Sequence, residues 1–206
     1  MTDLPRRRRI LILFAHPALH RSRVNRALVQ AVRDLEGVTL HDLYELYPDF
    51  DVDAEHEQDQ LLRHDLLILQ HPFYWYSTPA LVKQWLDVVL QLGWAYGRSG
   101  TALRGKQMLS VITAGGSERA YARDGVNGYS IAELLAPLAQ TARLCGMDYL
   151  PPYVLHGTHG LGEEEIARHA EEYRSVLEAL RDGRVDLDAA RRRPYLNHSL
   201  DAVVRS

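Results

Sequence analysis

Residues 65–87, DLLILQHPFYWYSTPALVKQWLD, decide the fold of this chain. The apolar run from Leu66 to Gln70 has the length and continuity of a β-strand that is covered on both faces. Four aromatic residues follow, and Thr78 and Pro79 then predict a helix start, with Thr as the N-cap and Pro in the first position. Four successive aromatic side chains cannot all point inward from one turn, so some of them must line a surface or a pocket.

The same alternation of strand and helix patterns runs through most of the chain. Strands are predicted at 10–15, 38–44, 66–70, 107–113 and 149–155. Helices are predicted at 22–35, 56–63, 79–92, 130–142 and 166–180, with Ser22 as an N-cap, a loop at 47–55 and a capping box at 130–133. Strands joined by helices require right-handed crossovers and form an open parallel sheet. We therefore predict an α/β fold, a doubly wound five-stranded parallel sheet.

Domain limits follow from where this periodicity stops. The pattern ends near Gly183, and the run Arg191-Arg-Arg193-Pro194 interrupts anything that could continue it. We predict one domain over residues 1–183 and an irregular C-terminal tail over 184–206.

Composition excludes several classes of protein. A chain of 206 residues with 46% apolar residues can bury a substantial core, and a net charge of −3 gives no argument for nucleic-acid binding. The single cysteine, Cys145, excludes a disulfide framework. The apolar run after Arg6 to Arg9 is too short for a signal peptide, and no run approaches the length of a transmembrane helix. We expect a cytoplasmic protein.

In an open parallel sheet, ligands bind at the carboxyl ends of the strands beside the switch point, so the loops after strands one, three and four should converge. The first loop ends at a helix N-terminus, where free backbone N–H groups attract an anion. With His16, Ser22 and Asn25 as donors and Arg23 as a counter-charge, the loop forms a phosphate cup. The same residues also fit a plain helix cap beside a surface histidine.

The other two loops fit a planar ligand. Residues 73–76 offer a stacking surface, although an aromatic plug beneath a loop would use the same residues. Gly115 and Gly116 allow the backbone to approach a ligand closely, although an ordinary turn would use them equally well. Only the combination of a phosphate cup, a stacking surface and a glycine edge, at the ends of three neighbouring strands, predicts a shared site.

A metal-dependent alternative starts from the same first strand. The sequence Ala15-His16-Pro17 also opens the zinc-dependent deacetylases of sugar amides, but the two acids that follow there are replaced by Ala18 and Leu19. His156 and His159 have a spacing that zinc could use, with no third ligand nearby in sequence. We predict no metal site.

At this point the chain resembles a known family, the flavodoxin-like NAD(P)H:quinone oxidoreductases. The likeness rests on His16-Pro with Ser22 and Asn25, on residues 70–90, on Gly93-Trp-Ala-Tyr-Gly97 and on Thr113-Ala-Gly-Gly-Ser117. It is greatest to the ancillary flavoproteins of glutathione-regulated potassium-efflux systems, which share segments 43–50 and 100–106. The resemblance covers roughly residues 9–180 and implies the strand order 2-1-3-4-5.

Cofactor-binding residues are implied by this resemblance. The flavin phosphate is expected at His16, Ser22, Arg23, Val24 and Asn25. The edge of the isoalloxazine ring is expected at Phe73, Tyr74, Trp75 and Tyr76. The pyrimidine side of the ring is expected at Ile112, Thr113, Ala114 and Gly115, and Gly116 is also expected to bind the cofactor. The chain lacks the long C-terminal domain that helps to hold an adenine in the larger enzymes, which favours FMN over FAD.

Catalytic residues are implied in the same way. Tyr121 stands where the larger quinone reductases place a tyrosine near flavin N1 and O2. Six residues later those enzymes have a histidine, whereas this chain has Asn127, so Tyr121 should act as a plain hydrogen-bond donor. Tyr96 matches a position that projects into the partner subunit's pocket in the family homodimer.

Three functional hypotheses follow. The first is an FMN-dependent NAD(P)H:quinone oxidoreductase that passes hydride from NADPH or NADH, through flavin N5, to a quinone or similar small electrophilic acceptor in a ping-pong cycle. The second is a regulatory flavoprotein that docks on a potassium-efflux antiporter at the inner face of the membrane, with incidental turnover. The third is a flavin-binding electron carrier without a nicotinamide site. The sequence leaves all three open.

Overall fold

The computed structural model describes residues 7–200 and 203–204, and a parallel sheet forms its centre. The strands are β1 (Ile10–Phe14), β2 (Val38–Asp42), β3 (Leu66–Pro72), β4 (Gln107–Thr113), β5 (Asp148–Tyr149) and β6 (Tyr153–Leu155). Their order is β2-β1-β3-β4-β5, with β6 also paired to β4, and every pairing is parallel. The predicted fold class and strand order are confirmed.

Helices of very different length connect these strands. They are α1 (Arg23–Val32), α2 (Leu43–Leu46), α3 (Ala54–Arg63), α4 (Ala80–Val89), α5 (Ile131–Leu134), α6 (Ala136–Leu144), α7 (Glu163–Arg181) and α8 (Leu187–Arg191). Short 3₁₀ turns occupy Leu19–Arg21 and Glu118–Tyr121. Within the described ranges, no helix has both the length and the apolar character needed to cross a membrane.

Two apolar cores lie on opposite faces of the sheet, which explains the continuous apolar strands. Along β1, Leu11 and Leu13 belong to the core under α3, α4 and α6, whereas Ile10, Ile12 and Phe14 belong to the core under α1 and α7. Both faces of the strand are buried, so every position favours an apolar side chain.

The predicted fifth strand was wrong as a single element. Pro151 and Pro152 interrupt it, and β5 and β6 pair separately with β4 on either side of them. Proline carries no N–H to donate to the ladder, so the pairing stops there and resumes at Tyr153.

Four further boundaries differ from the prediction, each for a local reason. β2 ends at Asp42, because the Asp42 carboxylate accepts a hydrogen bond from the backbone N–H of Tyr44 and starts α2. The predicted loop at 47–55 ends two residues early, at Asp53, which caps α3. Pro79 itself occupies the N-cap position of α4, so Thr78 is not the cap, and the helix ends at Val89. The helix predicted at 130–142 is divided at Leu135, although its capping box at Ser130 is confirmed.

The tail after Gly183 is more ordered than predicted. It contains α8, and its Leu196 and Val203 are buried in the core shared with α1 and α7. The side chain of Asn197 accepts from the backbone N–H of Val154 at 3.0 Å and donates to its carbonyl at 2.9 Å. This pairing uses the free edge of β6, so the tail packs against the sheet at that strand.

Candidate functional site

A cavity of about 570 Å³ opens at the carboxyl ends of β1, β3 and β4. Its lining comes from the three loops that were predicted to converge, together with a fourth loop after β6: His16, Ala18, Arg21, Ser22, Arg23, Val24, Asn25, Pro72, Phe73, Tyr74, Thr113, Gly115, Thr158 and His159. The volume lies within the usual range of small-molecule sites.

The first turn of α1 forms one wall of the cavity. Ser22 Oγ accepts from the backbone N–H of Asn25 at 3.2 Å and from the Asn25 amide at 3.0 Å. Because Ser22 is the acceptor in both bonds, its own hydroxyl hydrogen stays available to an anion at the helix N-terminus. Ser22 thus serves as a cap and is also placed to bind a ligand.

Asn25 supports this wall through hydrogen bonds on its buried side. Its side chain is buried, and its amide donates both to Ser22 and to Thr113 Oγ1, which lies 3.0 Å away at the end of β4. Both amide hydrogens are therefore used within the protein. The bond to Thr113 ties the first loop to β4 and fixes the distance between two walls of the cavity.

His16 presents a neutral imidazole. Its Nδ1 accepts from the backbone N–H of Ala18 at 3.1 Å, which leaves the proton on Nε2 as a donor. Burial lowers the pKa of His16, against a smaller opposing effect of its backbone hydrogen bond. The ring also meets Tyr74 edge to face, with centroids 5.9 Å apart.

Two arginines, Arg21 and Arg23, lie at the phosphate cup. Arg23 Nη2 donates to the carbonyl of Leu161 at 3.0 Å, and this bond holds Arg23 toward the loop after β6. Arg21, which the sequence analysis did not select, also lines the cavity.

The aromatic loop, residues 73–76, contributes two side chains to the cavity and two to the surface. Phe73 and Tyr74 line the cavity, whereas Trp75 and Tyr76 do not. The Trp75 residue is 91% exposed, and both Trp75 and Tyr76 have left-handed backbone angles, with φ of 49° and 64°. This conformation costs about 1–2 kcal/mol per residue outside glycine, and such strain concentrates at functional sites.

The glycine edge has a packing reason as well as a conformational one. A Cβ atom at Gly115 would lie 2.5 Å from His159 Nε2, so only glycine lets His159 approach β4 this closely. At Gly116 a Cβ would lie 3.1 Å from Tyr121 Cε2. Ile112 and Ala114 are buried in the core, and the Ala114 N–H is already bonded to Leu155.

Tyr121 lies beside the cavity, in contact with one of its lining residues. Its ring centroid is 6.0 Å from that of Phe73 and 5.7 Å from that of His156. Burial raises the pKa of Tyr121, so its hydroxyl keeps its proton at neutral pH. Asn127 accepts a hydrogen bond from the Tyr76 hydroxyl at 3.3 Å. Tyr96 is half-buried against the core under α4 and does not line the cavity.

The loop after β6 was the main omission of the sequence analysis, which dismissed its histidines as ordinary loop residues. Thr158 and His159 line the cavity, and both hydrogen bonds from Thr158 go to the Ala114 carbonyl. This strand also ends at the carboxyl edge of the sheet beside β4, which was a usable signal. In the described part of the chain, neither His156 nor His159 belongs to a group of three potential metal ligands.

Comparisons with known proteins agree on the fold. Residues 8–177 match the family described as Flavodoxin-like fold, and the chain belongs to that family. Similar solved structures include a thermophilic tryptophan halogenase from Streptomycin violaceusniger, with 47% identity and a TM-score of 0.78 over 80% of this chain and 96% of that one. General stress protein 14 from Treponema denticola, in complex with FMN, has 40% identity and a TM-score of 0.80 over 84% and 99% of the two chains. An NADPH-quinone reductase from P. pentosaceus has 34% identity and a TM-score of 0.74 over 82% and 97%.

His71, beneath the site, generates a prediction about acid stability. It is fully buried, and burial lowers its pKa to about 4, although its hydrogen bond to the Pro72 carbonyl opposes this. Below pH 6.5 His71 becomes protonated in the unfolded chain, whereas in the folded chain it stays neutral until about pH 4. The free energy of unfolding should therefore fall between pH 6.5 and pH 4, by roughly 3 kcal/mol from this residue.

His71→Gln should flatten this dependence in urea unfolding measured from pH 7 to pH 4. A smaller slope should remain, because burial also lowers the pKa of His16, His64 and His156. The exposed His198 provides the control, since His198→Gln should leave the slope unchanged. If the free energy of unfolding fell equally with pH in His71→Gln and in the parent, the lowered pKa of His71 would be contradicted.

Proposed function

We propose that this protein is an FMN-dependent oxidoreductase that carries reducing equivalents from NADPH or NADH to a quinone or similar small electrophilic acceptor. The observation that carries the proposal is the single cavity that joins a helix N-terminus, a neutral histidine donor, an aromatic wall and a glycine edge. The similar proteins are named for different activities, so the choice of an oxidoreductase function rests on this site. The FMN complex of the Treponema relative and the quinone reductase from P. pentosaceus support it.

The chain fits a flavin mononucleotide in chemistry as well as in size. The Ser22 hydroxyl, the first N–H groups of α1 and His16 Nε2 are donors suited to a phosphate, and Arg21 and Arg23 supply positive charge. Phe73 and Tyr74 offer apolar ring surface, and a side chain at Gly115 would collide with His159. When bound, the flavin would accept hydride at N5 from a nicotinamide and then deliver it to the acceptor.

The protein's own contribution is orientation and electrostatics. Asn25 holds the phosphate wall at a fixed distance from β4, and Phe73 excludes water from the inner end. Tyr121 supplies a protonated hydroxyl in a partly dry environment, where a donor strengthens interaction with developing negative charge. Asn127 is bonded to Tyr76, so it offers Tyr121 no proton relay.

A narrower proposal concerns a partner. The sequence resemblance to ancillary flavoproteins implies docking on a potassium-efflux antiporter at the cytoplasmic membrane face. Steady-state oxidation of NAD(P)H by a quinone without any partner distinguishes the enzyme from a purely regulatory flavoprotein. It also distinguishes the enzyme from an electron carrier, because a carrier without a nicotinamide site would show no such turnover.

Purified protein should carry one FMN per chain, identified by chromatography of the heat-released cofactor. Recovery of FAD alone would contradict the choice of FMN, and failure to bind any flavin would contradict the function. Ser22→Ala should lower FMN affinity tenfold or more, because it removes the Ser22 hydroxyl that would donate a hydrogen bond to the charged phosphate. Loss of the helix cap should also cost about 1 kcal/mol of stability.

Ser130→Ala is the matched control for this variant. Ser130 caps α5 with the same side-chain geometry but does not line the cavity. It should lose similar stability while FMN affinity, measured by fluorescence quenching, stays at the parent value. Equal losses of affinity in the two variants would show that Ser22 acts only through folding.

Tyr121→Phe should slow the reduction of bound flavin by NAD(P)H roughly ten- to a hundred-fold, because one donor to developing charge is lost while backbone donors remain. FMN content should not change. Stopped-flow bleaching of the flavin absorbance measures the rate. A variant that reduces at the parent rate would mean that Tyr121 only borders the cavity.

We also propose a homodimer in which Tyr96 borders the partner's pocket. Exposed apolar residues on the α2 and α4 side and the aromatic loop are unusual for a monomer surface: Leu46, Phe50, Tyr74, Trp75, Tyr76 and Leu92. Light scattering at micromolar concentration should give twice the chain mass of 23.5 kDa. Trp75→Glu should shift the mass toward the monomer, whereas Leu144→Glu, at an exposed apolar residue that is not part of this surface, should not. A monomeric parent protein would remove Tyr96 from the site.

A further inference from the structure

A second group of chemically active side chains lies between the edge strand β2 and the helix α3. It consists of His41 on β2 and of His56 and Glu57 in the first turn of α3, and none of them lines the cavity described above. One potential ligand atom from each residue lies within 4.8 Å of the others. Neither the fold nor the proposed oxidoreductase function explains why two imidazoles meet here.

Glu57 brings a charge into the protein interior. The residue is 0% exposed, and its carboxylate accepts from the Tyr47 hydroxyl at 2.8 Å and from Trp85 Nε1 at 3.0 Å. Burial works to raise the pKa of Glu57, but hydrogen bonds from His41, Trp85 and Tyr47 outweigh it and lower the pKa. The carboxylate is therefore charged at neutral pH, and a buried charge needs a positive partner.

Two histidines lie beside this carboxylate, and His41 shares the oxygen Oε1 with the Tyr47 hydroxyl. His41 Nδ1 is 3.2 Å from Glu57 Oε1, and the rings of His41 and His56 are nearly parallel, with centroids 5.7 Å apart. The pair therefore places two potential nitrogen ligands beside a buried carboxylate. A single divalent cation would supply the positive charge that the carboxylate needs and would bind both rings through nitrogen.

The spacing suits such an ion. Metal–ligand bonds of about 2.0–2.1 Å in a tetrahedral site place ligand atoms about 3.3 Å apart. The observed 3.2 Å between His41 Nδ1 and Glu57 Oε1 already matches this separation. His56 must move closer by about 1.5 Å at most, and it is an exposed side chain that can rotate.

We propose that His41 Nδ1, Glu57 Oε1 and one nitrogen of His56 bind a divalent transition-metal ion of the Zn²⁺ class, with water completing the coordination. Imidazole donors favour Zn²⁺, Ni²⁺ or Cu²⁺ over Mg²⁺ and Ca²⁺. The ion takes the place of the proton on His41 Nδ1, and that proton moves to Nε2 of a neutral ring or to solvent from a charged one. Tyr47 and Trp85 then hold the ligating carboxylate in place, and the ion links β2 to α3.

The test uses the full chain without a histidine tag, treated with a chelator and then titrated with Zn²⁺ in a calorimeter. One Zn²⁺ per chain should bind. His56→Ala should weaken binding at least tenfold, because it removes a ligand. As His56 is exposed, this variant should fold like the parent and keep its FMN content.

His20→Ala is the matched control, since His20 is also exposed but lies outside the cluster. It should bind Zn²⁺ with the parent affinity. Absence of stoichiometric binding at micromolar Zn²⁺ would overturn the proposal. Binding that survives in His56→Ala, or that disappears in His20→Ala, would assign the ion to other histidines and overturn it equally. Glu57→Gln should abolish binding, because it removes the charged ligand.

Discussion

The parallel pairing of β1, β3 and β4 is the constraint on which the rest of this structure depends. Phe14 pairs with Gln70, and Pro72 pairs with Thr113, so the three strands end at nearly the same height. Each strand continues directly into a loop, which places the cup, the aromatic wall and the glycine edge around one cavity. Parallel strands require long crossovers, and the helices that form them bury both faces of the sheet.

Polar side chains buried beneath the cavity make its base rigid. Asn25 links Ser22 to Thr113, and the Tyr173 hydroxyl on α7 donates to Gln70 at the end of β3 at 2.9 Å. These bonds join elements that are far apart in sequence, so they help to fix the relative position of the loops. Among the described residues, Asn25 Oδ1 and Gln70 Nε2 are buried without a hydrogen-bond partner, so the network is only partly satisfied.

The aromatic loop and the Glu57 cluster are two places where the folded protein carries a free-energy cost. At Trp75 and Tyr76 the cost is conformational, because two bulky residues adopt left-handed backbone angles at an exposed turn. At Glu57 it is electrostatic, because a carboxylate is kept charged away from water by three hydrogen-bond donors. Neither arrangement stabilises the fold by itself, which directs attention to ligands and partners.

The sequence by itself determined the elements whose signal is local. The apolar runs at Ile10 and Leu66, the cap at Ser22 and the capping box at Ser130 act through neighbours a few residues away, so their patterns predicted the parallel α/β sheet and the converging loops, while the strand order came from the family resemblance. The double proline at 151–152 was an equally local signal, and the single-strand prediction overlooked it.

Tertiary structure alone decided which atoms face each other. Asn25 reaches Thr113 across 88 positions, His159 packs on Gly115, and His41 meets His56 and Glu57 from another element. The C-terminal tail reads as irregular in sequence, yet Asn197 docks it on β6. These contacts depend on strand register and helix rotation, which the whole core sets jointly and which no short stretch of sequence encodes.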